Sequence, residues 1–136
     1  MDNTICYLNT DLYLISSDDL TPLAEIFKAR GIFSLQLARG EDGLWYANFE
    51  WNDEHGPPES AIADMIAVVE SFGDLERRIW SGCTRCEFDI GYDCGDKPWA
   101  FNQGLSTQLL GRMAAAGASL RITLYPDKDR VRAAAT

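Results

Sequence analysis

Three cysteines in the second half of the chain have a spacing that could support metal or redox chemistry. Cys83 and Cys86 are separated by two residues, and Cys94 follows eight residues later. Thiolates at this spacing can hold one soft metal ion or form a redox pair. A four-ligand zinc site would also require Cys6 or the single histidine, His55, and both are distant in sequence. We predict that the cysteines are small buried apolar residues, with a cysteine-ligated metal protein as an alternative.

Carboxylates form a second candidate group around one segment. Glu87, Asp89 and Asp93 fall on the outward face of a predicted strand, and Asp96 lies in the turn that follows. Paired carboxylates can perform general acid and base catalysis or hold a hard cation. Like charges on an exposed strand also prevent edge-to-edge aggregation. We interpret this group as a solvated or partner-facing surface.

The sequence lacks the motifs of nucleophilic and nucleotide-dependent enzymes. His55 lies in a polar loop, with no hydrolase serine or cysteine motif nearby. No phosphate-binding glycine motif of the Walker or Rossmann type is present. We therefore predict that the chain is not an enzyme and uses no cofactor.

The charge of the chain is unevenly distributed. The net charge is −9, and residues 1–60 alone carry eleven acidic and three basic side chains, a net charge of −8. A surface of this kind repels nucleic-acid phosphates and anionic lipids but attracts a basic protein. We expect a protein partner, and neither nucleic acid nor membrane.

Aromatic residues lie near the acidic positions in the sequence. Tryptophan and tyrosine beside carboxylates are typical of protein-binding hot spots that face a basic surface. Trp51 and Trp99 are the strongest candidates. The complete predicted partner-binding set is Glu50, Trp51, Asp53, Glu54, Glu87, Asp89, Asp93, Asp96 and Trp99.

The length of 136 residues is enough for one domain with one core. Residues 1–4 lack the basic region of a signal peptide. The apolar segment 61–72 is too short to cross a bilayer. We expect a cytoplasmic protein with a single α+β domain over residues 1–125 and a flexible C-terminal tail over residues 126–136.

Periodicity predicts six strands and three helices in the order β-α-β-β-α-β-β-α-β. The predicted strands are 5–15, 32–38, 44–51, 86–93, 99–101 and 120–125. The helices begin at Thr21, Glu59 and Ser106, and a short helical turn is expected at 75–80. This order indicates a mixed, mostly antiparallel sheet with helices on one face, in the style of ferredoxin-like folds.

Strict alternation also assigns side chains to one face of each strand. The predicted inward sets are Cys6, Leu8, Thr10, Leu12 and Leu14 in the first strand; Phe33, Leu35 and Leu37 in the second; Trp45, Ala47, Phe49 and Trp51 in the third; Cys86, Phe88, Ile90 and Tyr92 in the fourth; and Leu120, Ile122 and Leu124 in the last.

Several segments resemble a family of small bacterial domains of unknown function. These are Asp-Asp-Leu-Thr-Pro-Leu at 18–23, Phe-Asp-Ile-Gly-Tyr at 88–92, Trp-Ala-Phe at 99–101, and the helix and closing strand over 105–125. Domains of this kind resemble immunity proteins of bacterial toxin systems, including contact-dependent growth inhibition and type VI secretion. The resemblance implies an acidic protein that binds and neutralises a cognate basic toxin, with a nuclease as one candidate for the toxin. A ligand-binding regulatory domain is the other alternative.

Overall fold

The computed structural model describes residues 3–126, which form five strands and four helices. The elements are β1 (Cys6–Ser16), α1 (Thr21–Ala29), β2 (Ile32–Arg39), β3 (Trp45–Trp51), α2 (Pro58–Glu70), α3 (Asp74–Ser81), β4 (Cys83–Asp93), α4 (Thr107–Ala115) and β5 (Ser119–Tyr125).

The five strands form one sheet in the order β2-β3-β1-β4-β5. The first three neighbouring pairs are antiparallel, and β5 pairs parallel to β4. Because β3 lies between β1 and β2, the unit β1-α1-β2 is a split βαβ, the arrangement of ferredoxin-like folds. The prediction of an α+β fold with a mixed, mostly antiparallel sheet is confirmed.

Two predicted elements differ from the structure. Residues 99–101 form no strand. Trp99 does not pack against the sheet, since the residue is 99% exposed. The expected helical turn at 75–80 is a complete helix, α3, which begins at Asp74 and buries Ile79 and Trp80. The acidic side chains of Asp74 and Glu76 in its first turn complement the helix dipole.

A β-bulge changes the face assignment of β1. The pairing with β4 shifts between Tyr7 and Asn9, and the extra residue, Leu8, is exposed. Before the bulge Tyr7 packs against the core, whereas after it Thr10 and Leu12 are buried. The predicted inward positions of Cys6 and Leu8 are therefore wrong, because a bulge reverses the strict alternation of side chains.

A second β-bulge changes the face assignment of β2. The pairing with β3 shifts between Ser34 and Gln36, and Leu35 is exposed. Leu37 packs against the core, but Phe33 pairs with Glu50 on the opposite face of the sheet. Of the three apolar residues assigned to one face, only Leu37 is on the core side.

All four helices pack on one face of the sheet. Their buried side chains join those of β1, β3 and β4 in a single core cluster. The ring of Phe27 on α1 lies 4.9 Å from Phe49 on β3 and 5.8 Å from Phe72, which follows α2. Trp80 on α3 donates a hydrogen bond to the carbonyl oxygen of Ala116, 2.8 Å away, and thereby ties α3 to the end of α4.

The edge strand β5 is far more exposed than its alternation predicts. Leu120, Ile122 and Leu124 pair with Phe88, Ile90 and Tyr92 of β4 and share their side of the sheet. The β4 residues are buried, but Ile122 is 53% and Leu124 62% exposed. The face predicted for these three side chains is therefore correct, but their predicted burial is wrong. Alternation in one strand does not show how far the helices extend over the edge of the sheet.

The N-terminus of α4 is capped as predicted. The Ser106 hydroxyl accepts a hydrogen bond from the Leu109 amide at 3.1 Å, and the Glu59 carboxylate accepts one from the Ser106 amide at 2.6 Å. Within residues 3–126, no helix is long and apolar enough to cross a membrane. The predicted flexible tail, apart from Pro126, lies outside the described residues.

Candidate functional site

The face of the sheet opposite the helices carries aromatic and acidic side chains and is here named the open face. The strand pairing places Tyr13 of β1 beside Asn48 of β3 and Glu87 of β4 on this face. The aromatic residues of the open face are Tyr13, Phe33, Tyr46 and Tyr125, and the acidic residues are Asp11, Glu50, Glu87, Asp89 and Asp93. All nine are at least partly exposed.

Three of these carboxylates lie side by side across three strands. Asp11 on β1 is directly opposite Asp89 on β4, and the pairing of Leu12 with Phe49 places Glu50 on its other side. The Asn9 side-chain amide donates to Glu50 at 2.9 Å and to Asp11 at 3.4 Å. We call Glu50, Asp11 and Asp89 the carboxylate row.

The crowding of the row changes the protonation of its central member. The pKa of Asp11 is raised to about 7, first by burial, then by the hydrogen bond and charge of Glu50, and further by the charge of Asp89. The hydrogen bond that Asp11 accepts from the Tyr13 hydroxyl, at 3.4 Å, acts in the opposite direction. Near neutral pH, a large fraction of Asp11 is therefore protonated, and an approaching cation would displace that proton.

The other two acids of β4 differ in their partners. The Thr123 hydroxyl lies 2.7 and 2.9 Å from the two Asp89 oxygens and orients that carboxylate. Glu87 instead binds Arg85 at 2.6 Å and Arg121 at 2.8 Å, and its side chain is 14% exposed. These two guanidinium groups, Arg85 most strongly, lower the pKa of Glu87. Glu87 is thus a charge-compensated part of the open face. Asp89 lies directly opposite Arg121 in the β4–β5 pair, and its charge contributes to the raised pKa of Arg121, but the Arg121 guanidinium binds Glu87.

Four of the predicted residues line one cavity at the end of β3. Glu50, Trp51, Asp53 and Glu54 border a space of about 340 Å³, which we name the Trp51 cavity, together with Asn9 from the β1 bulge. Because Glu50 also belongs to the carboxylate row, the cavity and the row form one continuous acidic surface.

The wall of the Trp51 cavity is held rigidly. The Trp51 ring stacks on the His55 ring at 3.7 Å with nearly parallel planes, and its indole nitrogen donates to the Ala61 carbonyl at 3.1 Å. His55 in turn lies 2.6 Å from the Asp64 carboxylate. The histidine identified in the sequence thus supports an aromatic wall.

The remaining predicted residues lie at the C-terminal end of β4 and just beyond it. Because β1 is antiparallel to both β3 and β4, this is the same end of the sheet as the Trp51 cavity. Asp93 pairs with Cys6, so it is separated from the carboxylate row by about four residues along the strand, or roughly 13 Å. Asp96 and Trp99 follow in the exposed irregular segment. The predicted set therefore comprises residues around the Trp51 cavity, acids along the open face of β4, and Asp96 and Trp99 beyond the end of the strand.

The sequence-based set omits the centre of the row. The alternation of β1 predicts that Asn9 and Asp11 point outward, and this pattern is the signal from which both residues could have been found. What the sequence could not show is that β1 lies between β3 and β4, which brings Asp11 between Glu50 and Asp89.

The cysteines are not arranged as a metal site. Cys83 and Cys86 both pack against the core, and burial raises the pKa of their thiols to about 11 and about 12. Protonated thiols are poor ligands and poor nucleophiles. Over residues 3–126, no three histidine, cysteine or acidic side chains are grouped so that they could hold a metal ion.

Replacing Asp11 by asparagine should remove a pH-dependent loss of stability. Folded Asp11 keeps its proton up to about pH 7, whereas the unfolded chain loses it near the ordinary value of 3.8. The folded state therefore binds more protons between these values, and the stability of the wild type falls as the pH rises through this window. Because water still reaches part of the side chain, we expect Asp11→Asn to be more stable than the wild type by about 1–2 kcal/mol at pH 8.

The measurement is urea unfolding at pH 4 and pH 8. At pH 4 the two proteins should differ little, since Asp11 is protonated in the folded wild type. Asp53→Asn, a change of the same kind at an exposed position, serves as the control. An equal stability difference at both pH values would contradict the raised pKa of Asp11.

No family model, curated protein or solved structure matches this chain.

Proposed function

We propose that this chain is a cytoplasmic immunity protein that binds a cognate basic toxin domain through its open face and neutralises it without catalysing a reaction. The observation that carries the proposal is the carboxylate row, which lies on the sheet face opposite the four helices of residues 3–126. The resemblance of the sequence to toxin-neutralising domains supplies the kind of partner.

The row is suited to a cationic partner because its charges are crowded together. Three carboxylates across adjacent strands repel one another, and the raised pKa of Asp11 reflects this repulsion as well as its burial. A lysine or arginine of the partner would relieve the repulsion and release the Asp11 proton. The row therefore favours a positively charged surface over a neutral one.

The aromatic side chains of the open face supply contact area beside these charges. Tyr13 and Tyr46 are only partly exposed, so their rings are already held by neighbouring strands. Arg85 lies over the Tyr13 ring at 4.8 Å and fixes it further. Rigid aromatic side chains lose little conformational entropy on binding, which is why they are enriched in protein-binding hot spots.

Neutralisation would follow from occupying the basic surface of the toxin. If the toxin is a nuclease, the lysine and arginine side chains that bind phosphates would instead bind the carboxylate row and the acidic rim of the Trp51 cavity. A protein of net charge −9 would also be steered toward such a surface by long-range attraction.

The test is binding to the toxin domain encoded beside the gene of this chain. We expect a stable complex, loss of toxin activity in the complex, and an affinity that falls steeply as the salt concentration rises. Asp89→Lys should weaken the complex, whereas Glu25→Lys on the exposed side of α1 should not. A complex that is indifferent to salt and to Asp89→Lys would contradict docking through the open face.

A further inference from the structure

A second cavity lies on the helix side of the sheet, at the edge formed by β5. It measures about 480 Å³, and we name it the Tyr92 cavity. Its apolar lining includes Ile5, Phe101, Ile122 and Leu124. None of the lining side chains carries a charge, in contrast to the Trp51 cavity. The two cavities therefore suit different molecules.

Apolar surface is concentrated around the Tyr92 cavity. Ile122, Leu124 and Phe101 are all substantially exposed although they belong to the lining. Isolated exposed apolar side chains are ordinary, but a continuous group that borders a cavity marks a binding surface. The volume lies within the range of sites for small organic molecules.

One of the lining residues, Tyr92, carries a buried hydroxyl group for which residues 3–126 supply no hydrogen-bond partner. Tyr92 is 2% exposed, and its hydroxyl makes no hydrogen bond with any of residues 3–126. Burial raises its pKa, so the hydroxyl keeps its proton and remains a donor. Buried polar groups in folded proteins nearly always have a partner, so an unsatisfied donor on a residue that lines a cavity is consistent with an acceptor supplied by a bound molecule.

We infer that the Tyr92 cavity binds a small, uncharged and mainly apolar molecule that presents one hydrogen-bond acceptor, such as a carbonyl oxygen, to the Tyr92 hydroxyl. A charged molecule would lose its hydration without gaining an ion pair in this lining. A pure hydrocarbon would leave the hydroxyl unsatisfied. This inference is independent of the open face, which lies on the other side of the sheet.

Phe101 is the side chain placed to admit the molecule. Its ring meets the Tyr92 ring edge-on at 5.2 Å, and it lies in a segment that is neither helix nor strand. A change in its side-chain rotamer opens a path toward Tyr92 without disturbing the sheet.

The experiment compares two probes of nearly the same shape, benzophenone and diphenylmethane, in NMR titrations of the labelled protein. Benzophenone carries a carbonyl acceptor, and diphenylmethane does not. We expect both to shift the amide signals of Gly95 and Asn102, and benzophenone to bind about five- to tenfold more tightly. In Tyr92→Phe, which keeps the ring and removes the donor, the two affinities should become equal.

Two further variants locate the site. Ile122→Glu places a charge in the cavity and should abolish binding of both probes, whereas Leu35→Glu, at a comparably exposed position on β2, should leave binding unchanged. The inference is overturned if neither probe binds the wild type, if the two bind it equally, if the preference for benzophenone persists in Tyr92→Phe, or if Ile122→Glu binds normally.

Discussion

Replacement of Phe49 by alanine should lower the free energy of unfolding by about 3–5 kcal/mol. Phe49 lies at the centre of β3 and is fully buried, with the Phe27 ring 4.9 Å away. Truncation removes this apolar contact and leaves a cavity between the sheet and α1 that neighbouring strands cannot close. The expected loss is a large fraction of the stability of a domain of this size.

Phe33→Ala is the matched control for this change. Phe33 is also a strand phenylalanine, but the β2 bulge places it on the open face, where it is partly exposed. We expect its truncation to cost about 1 kcal/mol or less, measured by urea unfolding of both variants. Similar losses for Phe33 and Phe49 would contradict the assignment of the two faces.

Neutralising the whole carboxylate row should weaken the proposed toxin complex by about 100-fold at low salt. The variant combines Glu50→Gln, Asp11→Asn and Asp89→Asn, which preserve the size of each side chain and remove its charge. The loss should shrink as the salt concentration rises, because screening weakens the same attraction in the wild type. The measurement is equilibrium binding to the isolated toxin domain at two salt concentrations.

A control variant separates the position of the charges from their number. Glu25→Gln, Glu41→Gln and Asp74→Asn change the net charge by the same amount at exposed positions away from the open face. We expect this control to bind nearly as tightly as the wild type. Equal weakening in the two triple variants would mean that net charge alone, and no particular face, attracts the toxin.

The pH dependence of binding provides a second criterion for the row. Asp11 has a pKa of about 7, so at pH 6 it is mostly protonated and must release its proton to receive a cation. The affinity of the wild type should therefore rise between pH 6 and pH 8, and Asp11→Asn should remove this rise. A wild-type affinity that is constant over this range would remove Asp11 from the interface.

Alternation in β4 was sufficient to predict its two faces. Phe88, Ile90 and Tyr92 are buried, and Glu87 and Asp89 lie on the opposite side, as the pattern indicates. The pattern succeeds here because β4 has no bulge over these residues, so every second side chain keeps its direction. The same method fails at Leu8 and Leu35, where one extra residue reverses the direction.

The candidate site was only partly predictable because its charges meet across strands. Glu50, Trp51, Asp53 and Glu54 are close in sequence, and the structure places them around one cavity. Arg121, however, neutralises Glu87 from β5, more than thirty residues away in the chain. From composition alone Glu87 is one more uncompensated acid, because composition contains no information about which strand lies beside β4.

The approximate positions of the five strands and of α1, α2 and α4, and the acidic character of the chain, were determined by the sequence alone, since they depend on neighbouring residues and on composition. Tertiary structure decided the neighbours of each strand, the extent of helix cover over β5 and the protonation of Asp11. The physical reason is that burial and electrostatic interaction depend on distances through space, and strand order sets those distances. Asp11, Glu50 and Asp89 are ordinary acids along the chain, and they become a carboxylate row only when β1 lies between β3 and β4.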